Sequence, residues 1–212
     1  MIQGNPTNWL SRLQDVEERI MGRVAAIWPS CTEHISETDF EDHITRVLVR
    51  RLQRDKKTRT IGYPDRKELL EDEPHLGDVR GEIDFAVSLG GEPEVYLSVE
   101  CKVMNTLKYG SRHSLAGTYV EDGLMRYVLE QYADFLPVGA MLGYVLDGDT
   151  SFAKSQIVKA LEKREYMVRP VPESGVTDLP DIDIIRRFST RHLRSRGGDI
   201  EVRHSLLPYS SS

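Results

Sequence analysis

Three charged residues lie in two segments that are otherwise patterned like core β-strands. They are Asp84, Glu100 and Lys102, within residues 80–105, which read RGEIDFAVSLGGEPEVYLSVECKVMN. Carboxylates on rigid strands are ligands that Mg²⁺ or Mn²⁺ accept, and a neighbouring ammonium group can stabilise charge that develops on a phosphate. These residue types therefore indicate metal-assisted hydrolysis of phosphodiester bonds.

Strand alternation predicts how the three charges meet. A five-residue loop at 90–94 aligns the apolar rows of the two strands and places Asp84 directly across from Glu100, with Lys102 on the same face. Side chains opposed in this way have Cβ atoms roughly 5 Å apart, where like charges are destabilising. A divalent cation between the carboxylates would remove that repulsion. The alternative is an amphipathic hairpin whose charged face is in solvent.

These residues resemble the PD-(D/E)xK nuclease superfamily, which has the restriction-endonuclease-like fold. The resemblance rests on GEID followed, sixteen residues after its Asp, by ECK, on adjacent strands behind a helix with a Glu. It covers about residues 38–146. It implies that Asp84 and Glu100 bind Mg²⁺ or Mn²⁺, that the Cys101 backbone carbonyl can add a ligand, and that Lys102 is the catalytic lysine. Glu41 is the best match for the helix acid that many members bring to the metal, directly or through water, and Glu37 is the reserve candidate.

The sequence departs from the family pattern at two points. Ile83, and not Pro, precedes Asp84. A literal Pro-Asp pair occurs in Pro64-Asp65-Arg66-Lys67, but we interpret that segment as a loop, because no apolar alternation surrounds it and a Gly-Tyr-Pro turn precedes it. Gln131 invites comparison with the glutamine motif of RecB-like nucleases, although Phe135 stands where that motif has tyrosine.

Charge is segregated along the chain, although the net charge is −6. Residues 46–67 hold nine Lys and Arg against two Asp, and residues 186–204 hold six Arg. These stretches could form a phosphate-binding rim, with solvated faces as the alternative. Further candidates for nucleic-acid contact lie in or after the polar loop that follows Lys102: Lys108, Arg112, His113 and Gln131.

Periodicity and punctuation predict the elements that position these residues. We expect a helix over 6–28 ended by Pro29, and a second helix from Thr38 to about Arg54 that opens with a Thr38–Glu41 capping box and has an apolar stripe that includes Phe40. Residues 55–78 are predicted to be loop with at most a short strand near Thr60. After the hairpin we expect a polar loop, then a helix over 122–135, a buried strand VGAMLGYVL, a helix over 151–165, a loop over PVPESGVTDLP, and two strands within 182–207.

This order of elements predicts an α/β fold, a restriction-endonuclease-like sandwich in which helices flank a mixed central sheet. We expect one domain over 1–212, with the helix 6–28 and the hairpin 182–207 added to the core 38–146. No apolar run approaches a membrane span and the N-terminus lacks a signal-peptide pattern, so a cytoplasmic location is expected. Two distant cysteines indicate neither a disulfide framework nor a zinc site.

The function predicted from the sequence is a metal-dependent nuclease, with DNA as the expected substrate, acting as an endonuclease in restriction, phage defence or repair. The expected partners are nucleic acid, a second copy of the chain for double-strand cleavage, and an activator or recognition subunit. The alternative is a non-catalytic nucleic-acid-binding or protein-interaction subunit that retains the nuclease fold.

Overall fold

Seven strands form one mixed sheet at the centre of the molecule. The computed structural model describes residues 7–70, 79–89, 95–108, 111–196 and 198–209. The strands in these ranges are β1 Pro64–Leu70, β2 Val79–Ser88, β3 Tyr96–Met104, β4 Thr106–Lys108, β5 Ser111–His113, β6 Val138–Val145, β7 Val176–Asp178, β8 Arg186–Leu193 and β9 Asp199–Pro208. The sheet order is β1-β2-β3-β6-β9-β8-β7, and β4 and β5 form a separate hairpin. The three central strands, β3, β6 and β9, are parallel, and the outer strands pair antiparallel.

Helices flank this sheet, so the predicted α/β architecture with a mixed central sheet is confirmed. They are α1 Thr7–Thr32, α2 Glu41–Arg54, α3 Lys56–Arg59, α4 Ala116–Thr118, a π-helix Tyr119–Leu124, α5 Met125–Val128, α6 Thr150–Lys163 and α7 Glu165–Val168. Within the residues that the structure describes, no helix has both the length and the apolar character needed to cross a bilayer.

Helix α1 continues past Pro29, so the prediction that this proline ends it is wrong. Tertiary contacts outweigh the missing backbone hydrogen bond. Trp28, in the same turn, is buried, donates its Nε1–H to the Pro208 carbonyl at 2.9 Å, and stacks on Tyr144 with ring centroids 5.8 Å apart. These contacts hold the last turn of α1 against the sheet.

Helix α2 begins at Glu41, and the predicted capping box is absent. Phe40 is the N-cap residue, no side chain caps the helix, and the hydroxyl of Thr38 lies 3.1 Å from that of Ser36. Phe40 is 86% exposed, so its assignment to the apolar stripe is also wrong. The rest of that stripe is confirmed where it packs against the core: Ile44, Leu48 and Leu52 are buried.

The segment after α2 is more regular than its sequence suggests. Helix α3 and strand β1 occupy parts of the predicted loop, and the Pro64-Asp65 pair lies on a strand. The reason for treating this pair as loop was therefore wrong. Strand β1 is the edge of the sheet, where charged side chains face solvent and blur the alternation, and Pro64 is its first residue, where no ladder N–H is needed.

The remaining predictions are confirmed for the buried elements and are less accurate for the segments that connect them. The strand β6 is buried along its whole length and α6 buries Ile157, Ala160 and Leu161, as predicted. The predicted helix over 122–135 is displaced, because helical residues run from Ala116 to Val128 and residues 129–135 form turns and bends. Two C-terminal strands are confirmed as β8 and β9, and the short strand β7 lies in a predicted loop.

Candidate functional site

The predicted register of the β2–β3 hairpin is confirmed for its paired residues. Phe85 lies opposite Val99, and Val87 lies opposite Leu97. The pairing ends at Phe85 and Val99, so Asp84 and Glu100 are the first residues beyond the ladder. Here the Asp84 carboxylate replaces a backbone partner, because its Oδ2 accepts the Cys101 N–H at 2.7 Å.

The charged face of β3 is buried. Glu100 is 2% exposed and Lys102 is 8% exposed, which is incompatible with an idle charged face in solvent. The π-helix covers this face at Gly123, where a Cβ atom would lie 2.5 Å from Met141 Cε and 3.4 Å from Lys102 Cγ. A glycine in the π-helix therefore allows the close approach that encloses the two charges, and single π turns are frequent at functional sites.

Lys102 is surrounded by three oxygen atoms, one from α2 and two from its own strand β3. Its Nζ donates to Glu41 Oε1 at 2.8 Å and to the Cys101 carbonyl at 2.9 Å, and it lies 2.8 Å from Glu100 Oε1. Burial alone would lower the pKa of Lys102, but the carboxylates of Glu100 and Glu41 raise this pKa above its usual range. Lys102 is therefore an ammonium ion in this arrangement.

Glu41 reaches the cluster from the first residue of α2. Its Oε2 accepts the Val103 N–H at 2.9 Å while Oε1 contacts Lys102. The structure therefore brings the predicted helix acid to the strand that carries the other site residues. Glu37, the reserve candidate, is exposed and has no side-chain hydrogen bond or ion pair within the described residues.

The two strand carboxylates destabilise each other's charge. Burial raises the pKa of Glu100 to about 8, and the neighbouring Asp84 adds to the rise. Burial also raises the pKa of Asp84, against the opposing effect of the Cys101 N–H. Glu100 Oε2 is buried without a hydrogen-bond partner within the described residues. An orphaned carboxylate oxygen beside a second carboxylate is costly to bury and suits a hard divalent cation.

Asp84 and Glu100 thus fit a metal ion by their chemistry. The described residues contain no group of three or more His, Cys, Asp or Glu side chains that could hold a metal. Glu41 contacts Lys102 and the Val103 N–H through its two carboxylate oxygens, each of which keeps a further lone pair.

No protein-family model, curated protein or solved structure matches the chain. The interpretation of the site therefore rests on its own geometry.

Three of the predicted nucleic-acid contacts have described side chains, and none of these three is paired with the carboxylate cluster within the described residues. Arg112 lies 2.5 Å from Asp147 Oδ2 through its Nε, 3.1 Å from Asp149 Oδ2 through Nη1, and over the ring of Phe152. Its guanidinium is thus engaged within the protein. His113 is exposed on β5 and Gln131 lies in the segment after α5, and neither has a hydrogen bond or ion pair with the cluster within the described residues. The side chain of Lys108 lies outside the described residues.

Two arginines near the cluster were not predicted. Arg126 Nε donates to the Asp122 carbonyl at 2.8 Å and lies 3.4 Å from Glu100 Oε1. Arg66, on β1, lies 3.2 Å from Glu82 Oε1 and contributes to the electrostatics of Asp84. Arg66 could have been found by treating Pro64-Asp65 as part of an edge strand, whereas no sequence pattern singles out Arg126.

Proposed function

We propose that this protein is a metal-dependent nuclease that hydrolyses phosphodiester bonds, with DNA as the expected substrate. The observation that supports this most directly is the convergence of Glu41, Glu100 and the Cys101 carbonyl on the Lys102 ammonium, with Asp84 bonded to the same stretch of β3. Acids from two adjacent strands and a helix, beside one lysine, form the residue set that the PD-(D/E)xK resemblance implies. The sheet order, with the acids on β2 and β3 next to parallel β6, supports a restriction-endonuclease-like sandwich.

Asp84 and Glu100 would hold Mg²⁺ or Mn²⁺, with the Cys101 carbonyl and Glu41 as further ligands, the latter directly or through water. When bound, such a cation lowers the pKa of a coordinated water and neutralises charge on the phosphate. The orphaned Glu100 Oε2 and the mutual repulsion of the carboxylates favour this assignment.

Lys102 would act on the phosphate by electrostatics. Its raised pKa keeps it protonated, which favours donation to a phosphate oxygen or orientation of the attacking water over abstraction of a proton. A substrate phosphate would compete with Glu41 and Glu100 for its N–H donors. The water must then lose its proton to another base, such as solvent hydroxide.

A second candidate function is a non-catalytic nucleic-acid-binding or protein-interaction subunit that keeps this fold. The observation in its favour is that Lys102 engages both Glu41 and Glu100, so the cluster is closed by contacts within the chain. Binding that needs neither a metal nor Lys102 would support this alternative.

Asp84→Asn separates the two candidates through metal binding as well as cleavage. We expect the wild-type protein to bind Mn²⁺ in a calorimetric titration and to cut supercoiled plasmid, linear duplex, single-stranded DNA or RNA in Mg²⁺ or Mn²⁺ but not in EDTA. The variant should lose both properties, and Asp65→Asn, at the exposed aspartate of β1, serves as the control. Wild-type protein that binds no Mn²⁺ and cuts none of these substrates would reject the nuclease. One active site per chain makes a homodimer or repeated nicking necessary for double-strand cleavage, and a recognition or activator subunit could supply specificity.

A further inference from the structure

Helix α2 carries a row of exposed arginines, Arg46, Arg50 and Arg54. Residues four apart lie on the same face of a helix, so successive guanidinium groups follow the axis at about 6 Å of rise per step. Within the described residues, none of the three has an ion pair or a side-chain hydrogen bond. We call these three residues the α2 arginine row.

Several other arginines have acidic partners within the described residues, whereas the three arginines of this row have none. Half-buried Arg164 contacts Glu121 at 2.6 Å, and exposed Arg191 contacts Asp199. Arg12, Arg59 and Arg169 are also exposed without an ion pair, so the row is set apart by its spacing of four residues along one helix face. The chain has 34 acidic residues against 28 basic ones, so acids for such pairs are plentiful. Like charges four residues apart also destabilise a helix. The α2 arginine row therefore fits an anionic partner outside the chain.

The position of the row relates it to the candidate site. Helix α2 begins at Glu41, whose carboxylate contacts Lys102 and Val103. Arg46 lies about 8 Å along the helix axis from Glu41, and Arg54 about 20 Å. At about 100° of rotation per residue, the three arginines lie on the solvent face of α2, on the opposite side of the helix from Glu41. This line of single cations matches the repeated phosphates of a nucleic-acid strand that extends beyond the site.

We infer that the α2 arginine row binds the phosphate backbone of the nucleic-acid substrate outside the site, along the solvent face of α2. The identity of the polyanion rests on the proposed function, whereas the binding can be measured without hydrolysis. Counterion release makes the binding depend on salt, with a slope of log Kobs against log[salt] of about −0.7 per contacted phosphate for single strands and about −0.9 for duplex DNA.

The test compares two double variants that are matched in charge. Arg46→Gln/Arg50→Gln removes two charges from the row, and Lys159→Gln/Lys163→Gln removes two exposed charges four residues apart on α6. Anisotropy of fluorescein-labelled single-stranded and duplex DNA is measured in EDTA over a salt series, with thermal melts of each protein. We expect the α2 variant to bind more weakly and to reduce the salt slope by about 1.4 for single strands or about 1.8 for duplex, while the α6 variant keeps the wild-type slope.

Equal losses in the two variants would overturn the inference, as would a wild-type protein that binds no DNA. Vesicles of phosphatidylcholine and phosphatidylserine form a third arm, and their preferential capture through Arg46 and Arg50 would indicate a membrane surface instead. A parallel cleavage assay separates this inference from the nuclease proposal. If the protein cuts DNA in a Lys102-dependent way but the α2 variant binds DNA as the wild type does, the inference about the row is rejected and the nuclease proposal stands. If binding depends on the row but no cutting occurs, the nuclease proposal is rejected and the inference about the row stands.

Discussion

At the residue scale, the site balances three carboxylates against Lys102 and Arg126. Lys102 contacts Glu41 and Glu100, and Arg126 approaches Glu100 from the helical segment above the sheet. Arg126 is anchored through its Nε to the Asp122 carbonyl and lies over the ring of Tyr132. Its two terminal amino groups have no hydrogen bond within the described residues. A fixed guanidinium with free donors suits bidentate contact with a phosphate.

Removing Arg126 is therefore expected to slow catalysis. Arg126→Ala should lower kcat for DNA cleavage by about 100-fold, the loss that is typical for one preorganised donor to a developing charge. Guanidinium ion added to the assay should restore part of the rate, which a purely structural role would not predict. Arg164→Ala, which removes an arginine paired with Glu121 on the same helical segment, is the control. Wild-type kcat in Arg126→Ala would contradict this role.

The alternation of side chains along the strands allowed most of the site residues to be predicted. Side chains repeat every two residues, so aligning the apolar rows of β2 and β3 also fixes the face on which Asp84, Glu100 and Lys102 lie. The Asp84 contact with the Cys101 N–H could not be predicted, since it depends on where the ladder ends. Arg126 was missed because its location depends on a π-helix, and no local pattern specifies one.

At the element scale, a buried ion cluster joins α1 to the C-terminal strands. Glu17 is 0% exposed, contacts Arg187 of β8, and lies 2.9 Å from Arg203 Nε of β9. Two buried guanidinium groups share this carboxylate, and Arg203 also lies 3.8 Å from Glu201 Oε1. Loss of the Glu17 charge would leave Arg187 without an acidic partner in the protein interior, as far as the described residues show.

Glu17→Gln is expected to destabilise the fold by about 3 to 5 kcal/mol. The neighbouring Glu18 is exposed, so Glu18→Gln should change the unfolding free energy by less than about 0.5 kcal/mol. Urea denaturation followed by circular dichroism measures both. Similar stabilities for the two variants would show that Glu17 does not hold this cluster together.

Element boundaries followed the sequence only where local signals agreed with packing. Helix α6 begins after Asp149, whose side chain accepts the Phe152 N–H as an N-cap, close to its predicted start. The predicted helix end at Pro29 and the predicted capping box at Thr38 and Glu41 were wrong because tertiary contacts of Trp28 and Glu41 determine the structure there. The edge strand β1 was not predicted because its charged residues obscure the apolar alternation.

At the scale of the whole molecule, two buried histidines couple stability to pH. His192 Nδ1 donates to the Val168 carbonyl at 2.6 Å, Thr190 Oγ1 contacts Nε2 of both histidines, and Tyr119 contacts His204 Nδ1. The strand register places Ile200, not His204, opposite His192, so Thr190 is what links them. Burial lowers the pKa of His192 to about 4 and that of His204 to about 3.

Both pKa values lie below that of an unfolded histidine, so the unfolded chain takes up protons first as the pH falls. The associated stability is present above about pH 6.5 and is lost below it. From pH 7 to pH 5, the unfolding free energy should drop by about 2 kcal/mol for each histidine. In urea titrations at pH 7 and pH 5, His204→Gln should remove the contribution of one histidine to this drop in unfolding free energy. His34→Gln, at an exposed position, should leave the drop unchanged. A pH dependence that His204→Gln leaves unchanged would contradict the neutral buried pair.

The order of elements and the class of fold could be predicted because buried runs such as β6 are visible in the sequence. The sheet order could not, because the β3–β6 and β6–β9 pairs join segments that are distant in the chain, and side-chain packing selects them. The site residues on β2 and β3 could be predicted because the two strands are adjacent in the sequence. The helical segment that covers them was harder to predict because it reaches the site through long-range packing.

Cleavage of supercoiled plasmid by wild-type protein and Lys102→Ala, in Mg²⁺ and in EDTA, tests the central claim most directly. Lys159→Ala, at an exposed position on α6, is the matched control, and circular dichroism verifies folding. We expect Mg²⁺-dependent cutting by the wild type and the control, and a rate at least about 100-fold lower for Lys102→Ala. Cutting by a folded Lys102→Ala at the wild-type rate, or no cutting by the wild type, would contradict the nuclease assignment.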